Sequence, residues 1–97
     1  MTTQWWLMQP RPGLVLWTRM VVDDDGVAEV LDSTGATIRF ADEDTARHSL
    51  LDQEYRALDG LDDDDAAEMG LDLDELQPPS SADDLALVRA MTQPTRN

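Results

Sequence analysis

The sequence predicts an α+β fold: a three- to four-stranded antiparallel meander in the N-terminal half, packed by one long and one short helix, with a disordered C-terminal tail. Three observations lead there. Apolar runs alternate with Gly-, Pro- and Asp-rich turns over the first 40 residues. At Ala41 the apolar period changes from two to three and four. The 97 residues suffice for one core and not for two.

The strands come first. Gln4–Gln9 holds Trp5, Trp6, Leu7 and Met8 and stops at Pro10-Arg11-Pro12-Gly13, where two prolines and a glycine within four residues predict a turn or loop. Leu14–Val22 is rich in Val, Leu and Trp and is closed by Asp23-Asp24-Asp25-Gly26. Asp-Gly between apolar runs signals a hairpin, because both residues tolerate the positive φ of tight turns. Val27–Leu31 follows, broken by Glu29, and Asp32-Ser33-Thr34-Gly35 turns the chain again. Thr37, Ile38, Arg39 and Phe40 alternate polar and apolar as a half-buried strand does.

The helices follow. Asp42 is placed to cap a helix whose positive N-terminal end suits Glu43 and Asp44. Ala46, Leu50, Leu51, Tyr55, Leu58 and Leu61 recur at spacings of three and four, which predicts one apolar face on a helix from about Glu43 to Leu58. Gly60 ends it. A shorter helix starts at Asp62, with Leu61 and Ala66 spaced as a hydrophobic staple, and ends at Gly70. Leu71, Leu73 and Leu76 tuck against the core before Pro78-Pro79 breaks the chain. The expected domain is residues 1–76. Residues 77–97 are expected to form a Pro-led, mostly disordered tail, because a helix as short as the one around Leu85, Leu87, Val88 and Met91 is marginal alone.

Charge bounds the function. Sixteen Asp and five Glu face seven Arg and no Lys, for a net charge of −14. Residues 1–40 carry five acids and three Arg, a net of −2; residues 41–97 carry sixteen acids and four Arg, a net of −12. Such a field repels phosphate backbones and anionic lipid, so neither direct nucleic-acid binding nor membrane binding is expected, and it steers a basic partner. Acidity also fits a solvated surface, and Arg or Asp without Lys fits a GC-rich genome or a high-salt cytoplasm. No apolar run approaches 18 residues, no basic start and apolar core mark a secretory signal, and there is no cysteine. A cytoplasmic protein without disulfides or thiolate chemistry is the expectation.

Motifs for chemistry are sparse. With Gly26 at position six of a calcium loop, Asp25, Asp23 and Asp32 fall at five, three and twelve, but position one is Val21 and the flanks read as strands. Asp62, Asp63, Asp64 and Asp65 are adjacent on a helix start, so their side chains diverge instead of converging on one ion. His48 lies four residues after Asp44, off the apolar stripe, and its neighbour Ser49 faces elsewhere. No phosphate loop, metal-ligand cluster or nucleophile elbow is present, so no catalytic residue, metal or cofactor is expected.

The tryptophans carry the functional expectation. Adjacent residues of a strand point to opposite faces, so Trp5 and Trp6 serve different faces of the sheet. In Leu14–Val22 the set Leu14, Leu16 and Met20 alternates with Val15, Trp17 and Val21. Both faces are therefore apolar, and the second is covered by residues 61–76, by a copy of the chain or by a partner. The leading expectation is a non-catalytic protein–protein interaction module: an adaptor, inhibitor or regulatory subunit, monomeric or weakly dimeric. It binds a basic partner through Trp5, Trp6 and Trp17 for affinity and Asp62, Asp63, Asp64 and Asp65 for charge selection. A nucleic-acid mimic and a toxin-neutralising immunity protein are versions of it. The alternative is a small-ligand-binding protein or enzyme with a carboxylate-based site between sheet and helices.

Overall fold

The computed structural model describes residues 1–73, 76–80 and 83–94. It is an antiparallel sheet flanked by helices, the α+β class that turn chemistry and period predict. The centre is the hairpin of β1 (Thr2–Arg11) and β2 (Leu14–Val22), registered from Thr2↔Val22 to Met8↔Leu16. Pro10, which its neighbours Pro12 and Gly13 predict to be in a loop, lies inside β1 instead. The register shifts between Met8 and Arg11, and such a bulge is a place where a residue without an N–H can stay in a strand. β3 (Ala28–Leu31) and β4 (Thr37–Phe40) extend the meander from β2.

The two turns that join β2, β3 and β4 are built alike. Asp23 accepts the Gly26 N–H on its carbonyl and the Asp25 and Val27 N–H groups on Oδ1, at 2.9 and 3.0 Å. Asp32 does the same for Gly35, Thr34 and Ala36. Gly26 and Gly35 sit at φ 86° and 87°, where a Cβ is strained. The Asp23 carboxylate is therefore part of the turn's own hydrogen bonding, as the hairpin reading of this loop requires.

Helix α1 (Glu43–Asp52) starts where expected, with the Asp42 side chain accepting the Thr45 N–H at 2.7 Å. It stops six residues before Leu58. Glu54 adopts φ 70°, its N–H donates to the Leu51 carbonyl, and the Tyr55 N–H donates to the Leu50 carbonyl, both at 3.0 Å. This is a Schellman closure made without glycine, which is why the sequence hides it. Beyond it, β5 (Arg56–Ala57) pairs with Trp6 and Leu7, and a 3-10 turn covers Leu58–Gly60. The stripe predicted for one helix face is accordingly divided between the two faces of the sheet, and Leu51, expected on it, is exposed instead.

Two apolar clusters result. On one face Ala46, Leu50 and Tyr55 pack on Trp6, Met20, Ala28 and Val30. On the other, Leu58 and Leu61 join Leu7, Val15, Trp17 and Leu31. The chain changes faces at β5, the edge strand beside β1. Helix α2 (Asp63–Glu68) then follows as predicted: Asp62 caps it, Leu61 and Ala66 are buried together, and Gly70 at φ 72° closes it. The closing bonds, Gly70 N–H to Ala67 and Leu71 N–H to Ala66, form a second Schellman motif.

The predicted domain limit at residue 76 does not bound the packed structure. Helix α3 (Asp84–Ala90) and β6 (Thr92–Pro94) lie against β2, with β6 paired to Leu14–Leu16. Leu87 and Met91 are buried in the second cluster, and the Met91 carbonyl accepts the Trp17 N–H at 2.8 Å. A seven-residue helix is marginal alone; here it is held by the apolar face it covers. Of the segment expected to be a disordered tail, residues 81, 82 and 95–97 lie outside the described residues. Part of the second face is thus covered by Leu61, Ala66, Leu71, Leu73 and Leu76, from the 61–76 segment that is one of the three expected coverings, and part by Leu87 and Met91 from beyond it.

Candidate functional site

The three tryptophans do not share one surface. Trp6 is 1% exposed beneath α1, with the Arg47 guanidinium 5.3 Å from its ring centroid. Trp17 is fully buried on the opposite face, and its Nε1–H donates to Gln93 Oε1 at 3.0 Å. Both are core residues, which corrects the expectation that they anchor a partner: the burial that makes tryptophan a good anchor has been used inside the fold. Trp5 alone is half-buried, packed against the second cluster and still facing depressions at its edge.

The predicted acidic site also divides. Asp62 accepts the Asp65 N–H at 2.8 Å as the α2 cap. Asp65 is half-buried and lies 3.4 Å from Arg56. Asp63 and Asp64 are exposed. One carboxylate closes a helix end, one pairs, and two face solvent, so the four do not act as one group. Among the described residues no three His, Asp or Glu side chains are grouped to hold a metal ion, and no helix is long and apolar enough to cross a membrane. His48 is exposed, its Nδ1 2.8 Å from the Asp44 carbonyl oxygen.

Two broader depressions lie elsewhere: one of about 570 Å³ bounded by Leu51, Tyr55, Arg56 and Leu61, and one on the face that carries Trp5 and Trp17. Cross-strand pairing sets out rows of side chains there. One row is Thr3, Val21, Glu29 and Arg39, and the next is Trp5, Arg19, Leu31 and Thr37. Leu58, Leu61, Ala66, Leu87 and Met91 pack over the rows that follow, around Leu7, Trp17 and Val15, and leave the first row open. The result is a depression of about 470 Å³ with Val21, Val27 and Leu31 as apolar lining and Asp23, Glu29 and Asp84 as its acids. Thr3 and Thr37 add hydroxyls, Arg19 is its one basic side chain, and Met1, whose α-ammonium lies 3.2 Å from Asp24 Oδ1, completes the lining.

The charges of this groove are unequally free. Arg19 Nη1 lies 3.5 Å from Asp84 Oδ1, and the arginine is mostly covered while Asp84 is exposed. Asp23 Oδ1 serves the hairpin turn. Glu29 is exposed and, among the described residues, makes no ion pair, although Arg39 is its cross-strand partner on β4. Two smaller depressions adjoin: one of about 390 Å³ between Thr3, Trp5, Arg19 and the Pro78–Ser80 segment, and one of about 310 Å³ on the far side of Trp5. Sequence reasoning missed Glu29, Arg19 and Asp84. The available signal was that Glu29 and Arg19 interrupt otherwise apolar strands. Asp84 gave none, since its place depends on where α3 docks.

No family model, no curated protein and no solved structure matches this chain.

Proposed function

We propose that the protein is a non-catalytic binding module for a basic partner protein, and that the groove beside Glu29 is its contact surface. One observation carries this reading: beside the two apolar clusters that the chain covers itself, an apolar-floored depression stays open and its acids outnumber its single, already paired, arginine. A lysine or arginine stem can cover Val21 and Val27 while its charged end meets Glu29. The net charge of −14 adds long-range attraction for the same class of partner. A carboxylate-based ligand or catalytic site would be favoured by a buried carboxylate, and Thr18 is the one buried polar side chain among the described residues.

The test is affinity capture from a nuclease-treated lysate at low and high salt, with Glu29→Lys and Asp63→Asn/Asp64→Asn as comparison baits. The expected result is a stoichiometric basic partner, weakened by salt and by Glu29→Lys and retained by the α2 double variant. Capture that depends on the α2 acids and ignores Glu29 would move the surface to α2. Recovery of nothing basic would overturn the reading.

A further inference from the structure

The groove does not end at Glu29. It meets the depression lined by Trp5 through two shared residues, Thr3 and Arg19, and Arg19 is the cross-strand partner of Trp5. From Glu29 on β3 to Trp5 on β1 the path crosses two strand spacings and advances one row of same-face residues. At about 4.8 Å per strand and about 6.8 Å per row, that diagonal is about 12 Å. An extended chain rises about 3.3 Å per residue and returns a side chain to the same face every second residue, so positions i and i+4 stand about 13 Å apart on one side. The two ends of the path differ in chemistry: an exposed carboxylate, without an ion pair among the described residues, over an apolar floor at one, a half-buried indole at the other. Between them the charge of Arg19 is matched by Asp84, so the middle of the path neither attracts nor repels charge strongly.

We infer that the groove takes an extended segment of the partner in which a basic and an apolar residue stand four positions apart, the basic one at Glu29 and the apolar one against Trp5. This rests on the basic-partner reading and adds a spacing to it. The Pro78–Ser80 segment and Leu87 wall the Trp5 end, so the apolar residue enters a cleft with sides. Spacing, beyond net charge, is then what the surface reads.

The experiment titrates the full chain with synthetic peptides, followed by amide and indole NMR shifts. The probes are acetyl-Gly-Arg-Ser-Thr-Ser-Leu-Gly-amide, its reversed order, and the same composition with Arg and Leu adjacent. The spaced peptide, in one of its two orders, is expected to bind about fivefold more tightly than the adjacent one and to shift Thr3, Val21, Glu29 and the Trp5 indole. Glu29→Gln, at an exposed position, should weaken it about fivefold, and Trp5→Leu about tenfold in a variant whose spectrum stays folded. Equal affinity for spaced and adjacent peptides would overturn the spacing and leave a charge-selective surface standing. Shifts confined to α2, or no saturation by any cationic peptide, would overturn the basic-partner reading with it. Self-association that protects the same residues would overturn it by making a second copy the occupant.

Discussion

The rings of Trp5 and Trp17 meet edge to face, their centroids 6.2 Å apart and their planes at 87°. The pair joins a residue sealed in the core to one at the lip of the open groove, so their substitutions should separate stability from binding. Trp17→Ala is expected to cost about 3–5 kcal/mol, since it empties a fully buried site and removes a partner from Gln93. Trp5→Ala should cost about half of that, because part of its ring already faces solvent. Urea unfolding followed by far-UV circular dichroism compares the two, and equal losses would refute the division.

Thr18 is fully buried, and its hydroxyl has no hydrogen-bond partner among the described residues. Its cross-strand neighbour Trp6 likewise has a buried Nε1–H without one. Thr18→Val keeps the shape and removes the unpaired hydroxyl, so it should raise stability by about 1 kcal/mol. A fall in the urea midpoint would show that the hydroxyl is satisfied.

Glu54 occupies at φ 70° the position that closes α1, a conformation glycine adopts at no steric cost. Glu54→Gly should therefore stabilise the fold by about 0.5–1 kcal/mol, and Glu54→Val should destabilise it by at least as much. Thermal unfolding of both variants tests the sign, and the opposite order would place the strain elsewhere.

Ending the chain after Ser80 removes Leu87, Met91 and the β6 pairing with Leu14–Leu16. Two fully buried apolar side chains contribute about 3–6 kcal/mol together, a large part of what a domain of this size possesses. The shortened chain should lose the sharp unfolding transition and expose Trp17 to collisional quenchers of fluorescence. Unchanged cooperativity would show that α3 and β6 contribute little.

The Asp42 carboxyl titrates below the ordinary aspartate value of 3.8, chiefly because it accepts the Thr45 N–H and then through a second hydrogen bond to the Thr45 side chain, with His48 a smaller contribution. A depressed folded-state value means that the cap contributes stability above the unfolded value of about 3.9 and loses it as pH falls through the folded one. Asp42→Asn should remove that part of the acid sensitivity, and a carboxyl NMR titration with a midpoint at or above 3.8 would exclude the Thr45 hydrogen bonds as its cause.

Much of the fold is legible residue by residue because its signals are local. Asp23 and Asp32 each close their own turn, Asp42 and Asp62 each cap their own helix, and the alternation of Val15, Trp17 and Val21 with Leu14, Leu16 and Met20 assigns the faces of β2 without reference to anything distant. The misreadings are places where local and distant signals compete. The stripe from Ala46 to Leu61 has helical period, but Glu54 turns the chain so that Arg56 and Ala57 complete a strand pair and Leu58 and Leu61 reach the opposite face.

The candidate site shows the same division. The acidity, the two apolar faces of the central hairpin and the turns that bring β3 and β4 beside it follow from residue order alone. Which apolar residues remain accessible is set by long-range packing. Burial depends on where α3 and residues 58–73 come to rest, and those segments are too short to be stable until the sheet offers them a surface. Their resting place covers Trp17 and leaves Val21 and Glu29 open, and it sets Asp84 beside Arg19, 65 positions apart in the chain.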